Sequence, residues 1–220
     1  MYVAEHPSLI CFYPELTMRF QSLSVPLLAM ALLAGCSDPV APPATMVLPQ
    51  TATMGNSVSR TLSLAGYDDE GDVMKPRNVT WTSSNTSVAT VNANGVVSSK
   101  SLGATTITAR AGDAVASTQV WVVPAVIQSC ETNTATLCAN WTLADSLYNA
   151  VWQQGSKAVI RVARFDADSV RFTRLDPSGT SQGMQAVYRG VPANRAVQNA
   201  QVTWTHVEGY SFSGIWNATW

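Results

Sequence analysis

Val88-Ala89-Thr90-Val91-Asn92-Ala93-Asn94-Gly95-Val96-Val97 sets two apolar segments on either side of Asn-Gly. Asn and Gly both tolerate positive φ, so the run reads as two antiparallel strands joined by a hairpin. The same punctuation recurs upstream. Arg60-Thr61-Leu62-Ser63-Leu64-Ala65 alternates, then Tyr67-Asp68-Asp69-Glu70-Gly71-Asp72 turns, and Val79-Thr80-Trp81-Thr82-Ser83 puts Val79, Trp81 and Ser83 on one face. Downstream, Gly103 precedes Ala104-Thr105-Thr106-Ile107-Thr108-Ala109-Arg110, and Ala116-Ser117-Thr118-Gln119-Val120-Trp121-Val122-Val123 closes the unit. About seven short strands between residues 51 and 124, each bounded by turn residues, predict a β-sandwich.

Val79-Thr80-Trp81-Thr82-Ser83-Ser84-Asn85, Val88-Ala89-Thr90-Val91, Gly95-Val96-Val97 and Gly103-Ala104-Thr105-Thr106-Ile107-Thr108-Ala109 together resemble the group 2 bacterial Ig-like domain. The resemblance implies that Trp81 is the buried centre of the sandwich and Gly95 the hairpin glycine. It also implies a module of surface proteins, found in adhesins, in cell-wall proteins and as a spacer beside enzymes. It implies no catalytic residues, because a fold of this kind serves many tasks.

Residues 125–220 also read as all-β. Candidate strands are Leu147–Trp152, Ala158–Arg164, Ser169–Arg174, Met184–Arg189, Val202–Thr205 and Phe212–Trp220, with turns at Gln154-Gly155, Asp166–Asp168, Asp176–Gly179 and Glu208-Gly209. Strands joined by short turns predict an up-and-down meander, either a small barrel or a sheet folded on itself. In the last strand Phe212, Gly214, Trp216, Ala218 and Trp220 share one face, the period-2 mark of a buried side. Ser213-Gly214-Ile215-Trp216 resembles the short Gly-x-Trp pattern of lipocalin- and avidin-like barrels. Trp152, Trp204 and Trp216 are expected in the core, while Trp141 and Trp220 are the candidate ligand-facing aromatics. Arg161, Arg164, Arg171, Arg174, Arg189 and Arg195 gather here and read either as a cationic face or as a solvated wall paired with Asp166, Asp168 and Asp176.

Ahead of the sandwich stands a targeting signal. The apolar run Leu23–Leu32 is too short to cross a bilayer as a helix. It ends in Leu33-Ala34-Gly35-Cys36, which resembles the lipobox of bacterial lipoproteins. The resemblance implies cleavage before Cys36, diacylglycerol on its sulfur and acylation of its amine. Residues 1–35 are then a signal region, and Met18-Arg19 as its charged start implies that translation begins at Met18. Residues 36–50, with Pro39, Pro42, Pro43 and Pro49, are expected to form an extended tether. Ser37 after the cysteine resembles the outer-membrane address of enteric lipoproteins.

Charged residues make up only 12% of the chain, and removing residues 1–35 takes away Arg19, Glu5 and Glu15 and leaves it formally neutral. Such a chain exerts no long-range pull on nucleic acid, so no nucleic-acid partner is expected. With Cys11 in the signal region and Cys36 lipidated, Cys130 and Cys138 remain as a pair, expected to form a disulfide in an oxidising compartment. A metal or redox site there lacks partners, since His206 is the only histidine after the signal region. The acidic turn Asp68–Asp72 lacks the closing Glu of a calcium loop and reads as solvated. No metal or cofactor is expected.

No G-x-S-x-G, H-E-x-x-H or phosphate-binding glycine loop occurs, so the chain is expected to be non-catalytic. Two readings of its task stay open. In the first, an exported, lipid-anchored protein uses its Ig-like module to present the C-terminal β domain for adhesion or structural binding. In the second, an aromatic-lined C-terminal barrel binds a glycan or other small ligand. The expected partners are the membrane, through the lipid, and a glycan or protein.

Overall fold

The computed structural model describes residues 42–175, 185–206 and 208–220. The signal region, Cys36 and the turn expected at Asp176–Gly179 lie outside them. No helix occurs among the described residues, which form an Ig-like β-sandwich followed by a closed eight-stranded antiparallel barrel.

Ten strands build the sandwich: β1 (Thr45–Val47), β2 (Thr51–Gly55), β3 (Ser59–Thr61), β4 (Ala65–Tyr67), β5 (Val73–Met74), β6 (Thr80–Ser83), β7 (Ala89–Val91), β8 (Val96–Ser99), β9 (Gly103–Ala111) and β10 (Ala114–Val123). They order as β2-β10-β9-β6, β3-β8-β7 and β1-β4-β5, with β2 running parallel to β10. The alternation in β9 sends Thr105, Ile107, Ala109 and Ala111 inward, where Val97, Val120 and Val122 meet them. Thr105 is tolerated there because its hydroxyl bonds Ser83 Oγ and accepts the Asn85 N–H at 2.9 Å.

Two expectations for this half are corrected. The tether does not run to residue 50: β1 pairs with β4, and Met46 and Leu48 are buried in the sandwich. Proline spacing hid this short strand, because three residues show no periodicity. Trp81 is not the buried centre. It is half-buried at the flank of the core, whose enclosed side chains are Ile107, Val97, Val120 and Val122.

The hairpin is present, with Val91 opposite Val97, but Asn94 does not take a positive φ. Asn92 Oδ1 instead accepts the N–H groups of Asn94 and Val96, and only Gly95 turns left-handed, at φ 73°. A Cβ on Gly95 would stand 2.8 Å from Cζ2 of the Trp81 ring. Gly95→Ala should therefore lower stability by about 2 kcal/mol or more, from the left-handed backbone and the ring contact together. Thermal unfolding measures this, and Gly95→Asn should rescue little because it relieves only the backbone.

The barrel strands are β11 (Val126–Thr132), β12 (Thr136–Ala144), β13 (Leu147–Trp152), β14 (Lys157–Phe165), β15 (Val170–Leu175), β16 (Gln185–Gly190), β17 (Ala196–Thr205) and β18 (Ser211–Thr219). Each pairs with the next, and β11 also pairs with β18, which closes the sheet and removes its edges. Six of these match the expected strands; the β11–β12 hairpin was not anticipated. Cys130 faces Cys138 across it in direct register, and the two form the expected disulfide on the outer side.

The sandwich and the barrel belong to one compact unit. β10 explains why: its last turn of alternation gives Val120 and Val122 to the sandwich core and Trp121 and Val123 to the barrel core. Tyr148 OH donates to Pro124 O at 2.6 Å and ties the connecting segment down.

Candidate functional site

The interior of the barrel is filled rather than hollow. Trp141 and Trp216 stack with centroids 6.0 Å apart, and Phe172 and Tyr188 pack edge-on against Trp141 at 5.5 and 5.0 Å. Trp216 Nε1 donates to Ser129 Oγ at 2.9 Å, which satisfies the buried indole. These rings close the middle of the barrel to ligands. Trp141 is 0% exposed, so this candidate ligand-facing residue is part of the plug and presents no face to solvent. The core reading of Trp216 agrees with its place here.

Above the plug, at the end where β11 meets β12 and β17 meets β18, the barrel opens into a cavity of about 260 Å³. Its floor is Glu131, its walls are Trp152, Trp204 and Phe212, and Arg174 stands at its side. Each comes from the inward-facing positions of a different strand. Trp204 and Phe212 stack at 5.1 Å, and the Arg174 guanidinium lies 4.3 Å over the Trp152 ring. Gly214 makes room for this: a Cβ there would meet the Trp204 ring at 2.8 Å and overlap Thr132 O.

Glu131 is only 4% exposed and holds the site together. Its Oε1 accepts Trp152 Nε1–H at 2.9 Å and Tyr188 O–H at 3.1 Å, while Oε2 accepts Trp204 Nε1–H at 3.1 Å. Burial raises its pKa above the ordinary value, against the opposing pull of Arg174 and the three donors. Burial and the adjoining carboxylate push the Tyr188 phenol well up, so it stays protonated and donates. A carboxylate fixed by three donors and faced by one cation orients the indole rings as a rigid polar-edged cleft.

The predicted arginine group divides into three. Arg174 points inward to the mouth. Arg161, Arg164, Arg171 and Arg189 lie exposed on the outer wall, and Arg195 lines a separate cleft of about 710 Å³ at the opposite end of the barrel. Trp220 also lines that cleft, half-buried, with its ring 5.5 Å from Phe165. Trp141 and Trp220, singled out together, are thus not brought together. His206 stacks on Tyr210 at 4.7 Å in the β17–β18 turn, and its Nδ1 accepts the Glu208 N–H. Among the described residues no group of three or more His, Cys, Asp or Glu side chains could hold a metal.

Glu131 escaped the sequence reading, although a signal was present. Ile127, Ser129 and Glu131 alternate with Cys130, so pairing Cys130 with Cys138 on the outside turns Glu131 inward. In the acidic turn, Asp68 Oδ1 accepts the N–H groups of Glu70 and Asp72, which is local turn chemistry.

Residues 43–122 match the family model of the bacterial Ig-like domain (group 2), and the first matched residue falls just before β1. No curated protein matches the chain. Among solved structures, the chain is similar to domains 4-9 of surface layer protein SbsC at 17% identity and a TM-score of 0.35. That likeness covers 67% of this chain and 29% of the other, and it is too loose to carry an assignment.

Proposed function

Starting from a bacterial Ig-like domain that runs directly into a closed barrel, we propose a non-catalytic, lipid-anchored envelope protein whose barrel mouth binds a small ring-shaped ligand. The anchor is Cys36, supported by the Leu33-Ala34-Gly35-Cys36 motif, and the Ig-like domain holds the barrel away from the lipid surface. The observation that carries the binding reading is the cavity walled by Trp152, Trp204 and Phe212 over Glu131. Its volume of about 260 Å³ falls below the ~300–1,000 Å³ of drug-sized sites, so it takes one ring, such as the terminal sugar of a glycan. Phe212, half-buried and backed by Trp204, offers the accessible ring, and the polar edge at Glu131 and Arg174 suits a sugar ring, which is apolar on its faces and hydroxylated at its rim. Adhesion through a glycan end and small-ligand capture are then one activity at one site.

Titrating the full chain with methyl glycosides while following tryptophan emission tests this. A saturable shift is expected, weakened about tenfold in Phe212→Ala through loss of a stacking wall. Trp220→Ala should bind normally. If Trp220→Ala loses binding and Phe212→Ala keeps it, the cleft at the other end is the site. No response from the folded wild-type chain to any ring-sized ligand overturns the reading.

A further inference from the structure

The outer wall of the barrel carries an arrangement that the mouth does not use. Arg164 on β14 is the register partner of Arg171 on β15, and Arg171 is the register partner of Arg189 on β16. Three arginine positions therefore lie in a row across three adjacent strands, their backbones spaced by the ~4.8 Å between neighbouring strands. Arg161 projects from the same wall beyond the β-bulge between Val162 and Arg164. Like charges placed directly opposite each other in a sheet disfavour the fold. Arg164 is held by Asp166 at 2.6 Å, but Arg171 and Arg189 make no ion pair or side-chain hydrogen bond among the described residues. A groove of about 460 Å³, lined with Arg164, Ser169, Arg171, Arg189 and Val191, runs along the row. In a chain with a net charge of only −1, this is a concentrated cationic strip.

We infer that this row is a second binding surface, for a linear acidic polysaccharide whose carboxylate or sulfate groups pair with Arg171 and Arg189, beside the Asp166-held Arg164. Guanidinium groups bind such planar or branched anions through paired N–H donors. The wall decides between polyanions. Around an eight-stranded barrel the outward direction turns by about an eighth of a circle per strand, so the three arginines diverge. A flat anionic bilayer meets the middle residue, Arg171, most closely and Arg164 and Arg189 less so, whereas a chain laid across the three strands follows the curve. Single-stranded nucleic acid relies on aromatic platforms for its bases, and no aromatic side chain lines this groove. Bound along the wall, the polymer leaves the mouth free, so the two surfaces act independently.

The test uses the full chain and polygalacturonate, with dextran as the uncharged counterpart. Binding to polygalacturonate is expected, with none to dextran, and it should weaken steeply as salt rises. Arg171→Gln with Arg189→Gln should lose about tenfold in affinity for each arginine removed. Lys100→Gln with Arg110→Gln, exposed basic residues of the Ig-like domain, should change it less than about twofold. The arginine double variant should also melt no lower than the parent, because it relieves like-charge opposition, which separates lost binding from lost folding. Equal losses in both double variants would mean diffuse charge attraction and overturn the proposal. So would retention of binding in the arginine variant, or capture of phosphatidylglycerol vesicles or oligonucleotides in preference to the polymer.

Discussion

Trp141→Ala should cost about 3–5 kcal/mol and leave the barrel largely unfolded at 37 °C, the range for truncating a large buried aromatic. Trp141 touches Tyr148, Phe172, Tyr188 and Trp216, so its removal opens a void in contact with every large ring of the plug. The surrounding strands close on one another and cannot collapse inward to fill it. Each ring pair lost adds about 0.5–1.5 kcal/mol beyond area burial. Trp141→Phe should be much milder. The Trp141 Nε1–H is buried without an acceptor among the described residues, a defect that Phe removes while keeping most of the ring. Urea denaturation followed by near-ultraviolet circular dichroism measures both. If Trp141→Ala stays folded and loses only ligand binding, the ring belongs to a site and not to the plug.

Glu131→Ala should be nearly as damaging, at about 3–5 kcal/mol, because removing one side of a buried charged network strands the rest. Trp152 Nε1–H, Tyr188 O–H and Trp204 Nε1–H would lose their acceptor together, and Arg174 its counter-charge. Glu131→Gln keeps an acceptor for two donors but turns an amide N–H₂ toward the third, so a loss of about 1–2 kcal/mol is expected. The pH dependence has a definite sign. The folded state raises the Glu131 pKa above its ordinary 4.5, so between those two values the folded chain binds more protons than the unfolded one. Its contribution to stability is therefore greatest below 4.5 and declines as pH rises through the raised value. Glu131→Gln should abolish that decline, and a stability curve from pH 4 to 8 with an unchanged slope would refute the assignment.

Much of the architecture was legible because strands announce themselves by period 2 and turn residues. Leu147–Trp152 stood out by its apolar inward positions. The β11–β12 hairpin did not, since Ser129 and Glu131 occupy inward positions where apolar residues are expected. They are polar because they serve the indoles of Trp216, Trp152 and Trp204. The residue that organises the mouth thus broke the pattern that reveals a strand. Trp81 misled for another reason: alternation tells which face a side chain takes, not how deep in the layer it lies.

From local order alone the chain specifies an all-β body, an Ig-like half, the Cys130–Cys138 pairing and an aromatic inner face on β18, because each depends on neighbours in sequence or on cysteine count. Closure decided the remainder. Whether β11 meets β18, which tryptophans fill the plug and which wall the mouth, and that Arg174 turns inward while Arg171 and Arg189 align outside are matters of strand register around the barrel. A one-residue slip exchanges every inward side chain for an outward one, and register is set by contacts between strands far apart in the chain. That is why Trp141, read as ligand-facing, proved to be the core, and why Glu131, unremarked in sequence, became the centre of the site.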